Sequence, residues 1–175
     1  TAAVVGEEGV AADPGKLDEK TADAWLKAAC WAMDTYYLGA LLVRSPIWRR
    51  CMTRWMAQSD EWVQSCGYGL LSQRLKEEPD SISDAEAEAA LQAIEAGIHG
   101  AKNRARSNMN TALISIGTYK PSLRAAALAA ARRIGPVEVD HGDTDCKTPD
   151  AAAYILKAGA HFDKKSAGRK AGQAG

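Results

Sequence analysis

The residues best suited to chemistry fall into a few short stretches. Trp31, Asp34, Tyr36 and Tyr37 follow one another closely, and Asp34 is the one acidic side chain between Asp23 and Asp60. A carboxylate so placed can steady positive charge developing on a sugar, and Trp31, three residues earlier on nearly the same side of a helix, can cover a sugar or a cationic base. Arg44, Arg49, Arg50 and Arg54 form a basic cluster with no acid from 44 to 54, and Lys102, Arg104 and Arg106 form a second. Such clusters are either solvated faces or a phosphate-binding surface. Asn103, Arg106 and Asn110 share a helix face at i, i+3, i+7. Asparagine fits a helix interior poorly without partners, so that face is solvated or bonds to a neighbouring loop or to a phosphate. Asp140-His141-Gly142-Asp143-Thr144-Asp145-Cys146 carries three acids, a histidine and a cysteine. Its spacing fits neither zinc ligation nor a twelve-residue calcium loop, so it reads as a turn whose carboxylates cap helix ends, and no metal is assigned. His99 and His161 have no evident partner. Glycine-rich phosphate loops, HExxH, GxSxG and a Ser/His/Asp set are all missing, and no cofactor is expected.

Five tryptophans lie at 25, 31, 48, 55 and 62. They could form an aromatic surface for bases, but helix–helix packing is the expected role for most of them. The elements that must hold all these residues read as helices only. Trp25, Leu26 and Ala29 begin an apolar stripe in a helix from about 18, and residues 31–43 are apolar on most sides, as in a buried helix. Ser45-Pro46 suggests a cap and first turn for a helix over 46–57, with Ile47, Cys51 and Trp55 inward. Ser59 or Asp60 can cap a helix over 60–77, and Ser83-Asp84-Ala85-Glu86 matches a capping box opening one over 84–98. A helix over 101–116 would bury Met109, Ala112, Leu113 and Ile116. Pro121 begins another that Gly135 ends after Arg132 and Arg133, and Thr148-Pro149 opens a last one to about 158. Residues 1–17 read as a flexible arm, 18–160 as the helical domain, and 161–175 as a disordered basic tail. About eight helices in short-linked pairs make an all-α solenoid of antiparallel helix pairs.

The whole chain has 175 residues, 46% apolar and 25% charged, within the range of one globular domain. This composition excludes a wholly disordered chain, a collagen and a disulfide scaffold. Its 22 basic and 22 acidic side chains cancel. Locally they separate: residues 77–95 hold seven acids and no base, and residues 100–135 hold seven bases and no acid. A basic face on a neutral protein is therefore expected. The four cysteines, at 30, 51, 66 and 146, show no CxxC pattern and suggest a reducing, cytoplasmic setting. No apolar run reaches membrane-spanning length, no signal peptide is evident, and the chain begins at Thr1.

The run Val137-Glu138-Val139-Asp140-His141-Gly142-Asp143-Thr144-Asp145-Cys146-Lys147-Thr148-Pro149 resembles the C-terminal end of bacterial DNA alkylation repair proteins. So do Ala130-Ala131-Arg132-Arg133-Ile134-Gly135, the stretch Met109 to Gly117, and Trp55 with Asp60-Glu61-Trp62. The likeness covers roughly residues 18–158. It implies HEAT-like repeats that hold duplex DNA, carrying alkylated bases, in a basic concave groove, and hydrolysis of the N-glycosidic bond of N3- or N7-alkylated purines. It also implies that the first helical repeats are absent here. Catalytic members carry an Asp on the helix matching 31–43, at the position occupied by Tyr36, and an Arg just after Trp62, where Gln64, Ser65 and Cys66 stand. Asp34 lies about 200° around the helix from Tyr36. The expected roles are Asp34, Trp31 and Tyr36 at the reacting sugar, and Arg44, Arg49, Arg50, Arg54, Lys102, Arg104 and Arg106 on DNA. The expected partner is DNA rather than a membrane, bound by a monomer. The alternatives are a catalytically silent DNA-binding relative and a helical-repeat scaffold for protein partners.

Overall fold

The computed structural model describes residues 13–28 and 32–173, with side chains over 13–28 and 36–167. Trp31 lies outside the described residues, as does the side chain of Asp34. Eight α-helices occur among the described residues: α1 (Glu19–Ala28), α2 (Ala32–Leu42), α3 (Trp48–Met56), α4 (Glu61–Glu77), α5 (Asp84–Gly97), α6 (Asn103–Tyr119), α7 (Arg124–Ile134) and α8 (Ala151–Gln173).

The helix starts follow local chemistry. Asp60 caps α4, its carboxylate accepting from the Trp62 and Val63 amides. Ser83 and Glu86 close the capping box of α5 reciprocally. Asp150 caps α8 through the Ala153 amide at 2.7 Å, two residues after the expected Thr148-Pro149 start. At α3, Ser45 and Pro46 form a turn and the helix begins at Trp48. Pro121–Leu123 form a 3₁₀ turn leading into α7, and Gly135, at φ 70°, ends it.

Consecutive helices pair, and the pairs stack so that α4 packs on α2 and α6, and α6 on α8. This makes an inner layer of α2, α4, α6 and α8 and an outer layer of α1, α3, α5 and α7. The α4–α6 contact is the most extensive in the molecule. Accordingly α6 is buried almost continuously from Ala112 to Thr118. Ile47, Cys51 and Trp55 are buried as their spacing predicts, and so are Met109, Ala112, Leu113 and Ile116. Close backbone approach is bought with glycine at two crossings. A Cβ on Gly67 would lie 2.5 Å from the Met56 amide nitrogen, and one on Gly117 would lie 2.7 Å from Ile155.

The outer layer is stitched by ion pairs. Arg50 and Arg54 of α3 reach Glu19 and Asp23 of α1. Arg49 reaches Glu86 of α5, and Arg133 of α7 reaches Glu95 of α5. Of the basic stretch 100–135, Arg133 and Lys120 meet the acidic stretch 77–95, through Glu95 and Asp84.

Two boundaries differ from expectation. The helix expected to end near 158 continues to Gln173, anchored by Arg124 on Asp163 and by Phe162 edge-on to Tyr119 with ring centroids 5.3 Å apart. Before α1, Pro14–Lys16 form a 3₁₀ turn capped by Asp13, and Leu17 is buried. The rest of the expected arm, residues 1–12, lies outside the described residues.

Candidate nucleic-acid interface

A cleft of about 400 Å³ runs across α2, α4 and α6 of the inner layer. Each helix contributes one stripe. α2 gives Tyr36 and Gly39; α4 gives Trp62, Ser65, Gly69 and Gln73; α6 gives Arg104, Ser107, Asn108 and Thr111. The spacings i, i+3, i+7 and i, i+3, i+4, i+7 are those of a single helix face. The floor is made of small residues, and the rim is aromatic. Tyr36 is 57% exposed and meets Tyr37 edge-on at 5.8 Å. Trp62 of α4 is half-buried in the lining.

Polar contacts fix the walls. Asn108 Nδ2 donates to both the carbonyl and the hydroxyl of Ser65, at 2.9 and 2.8 Å, tying α6 to α4. Lys102 offers no side-chain cap to α6, and Glu61 of α4 supplies one, accepting from the Arg104 amide at 2.7 Å. Arg104 is thereby set at the mouth with its guanidinium exposed. A shallower groove continues the inner layer on α8, with Tyr154, Lys157, His161 and Lys164 along one face.

A model of the DNA alkylation repair enzyme family matches residues 16–155. The chain belongs to this family. Two uncharacterized proteins, from Listeria innocua and Listeria monocytogenes, are each 30% identical to it over 151 residues. Those alignments cover 85% of this chain and 65% of each relative. A solved structure from a group described as related to the HEAT-like repeat DNA glycosylases, with affinity for branched DNA structures, superposes with a TM-score of 0.77. It is 26% identical, over 84% of this chain and 63% of that one. The chain thus spans just under two thirds of the length of these relatives. Its fold is the HEAT-like all-α array expected from the sequence.

Within that family frame, the structure distributes the expected site residues over different places. Tyr36 stands on the cleft wall, where catalytic members are expected to place a carboxylate. Asp34 is on the same helix, two residues away. Arg49, Arg50 and Arg54, expected on DNA, sit on α3 in the outer layer with acidic partners. Arg44 is exposed in a separate groove beside Glu77 and Glu78. Arg106 lies on the face of α6 away from the cleft, its guanidinium donating to the carbonyls of Ala101 and Glu138. Asn103 exchanges hydrogen bonds with the backbone of Asp140 in both directions at 2.8 Å, and Asn110 donates to the Pro149 carbonyl. The Asn103/Arg106/Asn110 face therefore clamps the connection between α7 and α8. Of the expected DNA contacts, Arg104 lies in the cleft and exposed Lys102 immediately precedes it.

The loop 140–146 is ordered around itself. The Asp140 carboxylate accepts from the Gly142 amide and His141 Nε2 meets the Thr148 hydroxyl, so Asp140 holds a turn rather than caps a helix. No metal-holding group of histidine, cysteine and acidic residues occurs among the described residues. His99 Nε2 meets the Ile134 carbonyl at 2.9 Å.

Most of the tryptophans pack. Trp55 is buried, with Nε1 donating to Asp23 at 2.8 Å, and Trp48 is flanked by the guanidiniums of Arg49 and Arg74. Cys51 and Cys66 are buried, which pushes their thiols up to about 11 and about 12. Sequence reasoning passed over Gln73 and Thr111, and gave Ser65 and Asn108 no place in a cleft. The signal available was the pair of polar and small stripes at helical spacing within α4 and α6.

Proposed function

We propose that this chain binds branched DNA along its inner helical layer and does not itself hydrolyse the glycosidic bond. The observation that carries this reading is the cleft itself. It combines exposed aromatic edges, a small-residue floor, hydroxyl and amide groups and one outward guanidinium, with Tyr36 where the resemblance expects a catalytic carboxylate. Aromatic faces accept bases without regard to sequence, and cations beside them meet phosphates. Arg104 and Lys102 at the cleft mouth, with Lys157 and Lys164 on α8, supply the phosphate contacts. The affinity of the related group for branched DNA supports the choice of a branch over a continuous duplex.

N-glycosidic hydrolysis needs a group that stabilises a cationic sugar. Tyr36 offers no carboxylate, and Asp34 stands two residues earlier, a spacing of about 200° around an α-helix. The test compares a four-way junction with a duplex of equal length and measures release of 7-methylguanine from methylated DNA. Tighter junction binding without base release is expected. Release by the wild type that is lost in Asp34→Asn would instead assign excision to Asp34 and Trp31. Absence of binding to both DNAs would favour the protein-scaffold reading.

A further inference from the structure

We infer that the α2–α4–α6 cleft receives a single unpaired nucleobase from the bound DNA, between Tyr36 and Trp62, with the Gln73 amide reading its edge. This inference rests on the DNA-binding reading above and names what enters the site. Size is the first argument. A cleft of about 400 Å³ is at the lower end of the range for small-ligand pockets, and far too small for a double helix. The walls are the second. Tyr36, 57% exposed, lines the cleft from α2 and Trp62 lines it from α4, with Gly39 and Gly69 also in the lining. The third is an unspent polar group. Gln73 Oε1 is buried without a hydrogen-bond partner. A buried carbonyl oxygen with no partner among the described residues costs free energy, and an N–H donor on a base edge is the group it can accept from. A Cβ on Gly39 would come 3.2 Å from Gln73 Oε1, so the glycine also preserves room for the amide to turn. A base paired in a duplex presents no free face for stacking. A base at a branch point or bulge does, which links this cleft to the preference for branched DNA.

The experiment uses the full chain and three DNAs of equal length: one with a single-adenine bulge, one with an abasic site at the bulge, and one fully paired. Stacking of one base on an aromatic face is worth enough that the adenine bulge should bind roughly tenfold tighter than the abasic bulge. Gln73→Leu, which keeps the volume and removes the amide, should shrink that ratio several-fold, and Trp62→Leu should abolish it. Because the comparison among DNAs needs no variant, it stands even if a substitution unfolds the protein. Equal binding of the adenine and abasic bulges, both tighter than the paired duplex, would overturn the nucleobase site while leaving the branched-DNA reading intact. Failure to bind any of the three, or a four-way junction, would remove that reading and this inference together.

Discussion

At the scale of single residues, side chains of one type have been sorted into unlike roles by what lies across from them. Arg50 and Arg104 are both exposed arginines on helices. Arg50 faces Glu19 at 2.6 Å, whereas among the described residues Arg104 has only its backbone amide engaged, by Glu61. If DNA follows the inner layer, Arg104→Glu should lower the magnitude of the salt slope by at least about one unit, and Arg50→Glu should leave it unchanged. Fluorescence anisotropy across salt concentrations checks both. Asp23 carries a different burden. Partial burial pushes its pKa up, but hydrogen bonds from Arg54 and Trp55 outweigh that and hold it below the usual carboxylate range. A carboxylate lowered in the folded state stabilises above its unfolded pKa, and that stabilisation is lost as pH falls through the folded value. The stability gap between wild type and Asp23→Asn in urea should therefore be present at pH 7 and close in strong acid. Asp23→Ala should cost about 1–3 kcal/mol, because it strands the buried Trp55 indole N–H. The sequence made these residues visible as types but not as partners. The i, i+3, i+7 face of Asn103, Arg106 and Asn110 was legible, with a loop or a phosphate equally able to satisfy it. Only the placement of residues 138–149 against that face decided between them.

At the scale of elements, helix identity was legible from caps and apolar spacing because both are local. Ser83 with Glu86, Asp60, and Ile47 with Cys51 and Trp55 all behave as their spacing dictates. What failed was also local. Residues after 160 look like a tail by their lysines and glycines, yet alanine and lysine are strong helix formers, and a distant pair, Arg124 on Asp163, holds the continuation. Crossings carry the largest mutational risk. Gly67→Ala puts a methyl group 2.5 Å from the α3 backbone, where no flexible side chain can move aside, and should cost about 1–3 kcal/mol in chemical denaturation. The connection from α7 to α8 is long and exposed, yet Asn103, Arg106 and Asn110 pin it to α6. Trypsin should cut slowly after Lys147 in the wild type and much faster in Arg106→Ala, as limited proteolysis followed by mass spectrometry would show.

At the scale of the whole molecule, the segregation of charge along the chain suggested a strongly basic face. Part of that charge, Lys120 with Asp84 and Arg133 with Glu95, joins neighbouring repeats, because a solenoid sets them side by side and brings sequence-adjacent blocks of opposite sign into contact. An exposed pair such as Arg133 with Glu95 contributes modestly, of order 0–1 kcal/mol, so its service lies in register more than in stability. The solenoid itself was legible from helix count and pairing, whereas the cleft was not: it is assembled from half-stripes on three helices, each of which alone resembles an ordinary helix surface. The inner layer has a further consequence for how the molecule opens. In a stacked array each repeat leans on its neighbours, so the ends fray before the middle. The α4–α6 pair sits in the middle with the largest contact, and its amides should be the last to exchange with deuterium in native conditions. Two of the three helices that line the cleft would then outlast those around them, and a molecule already losing α1 or the far end of α8 would still hold the α4 and α6 stripes in place.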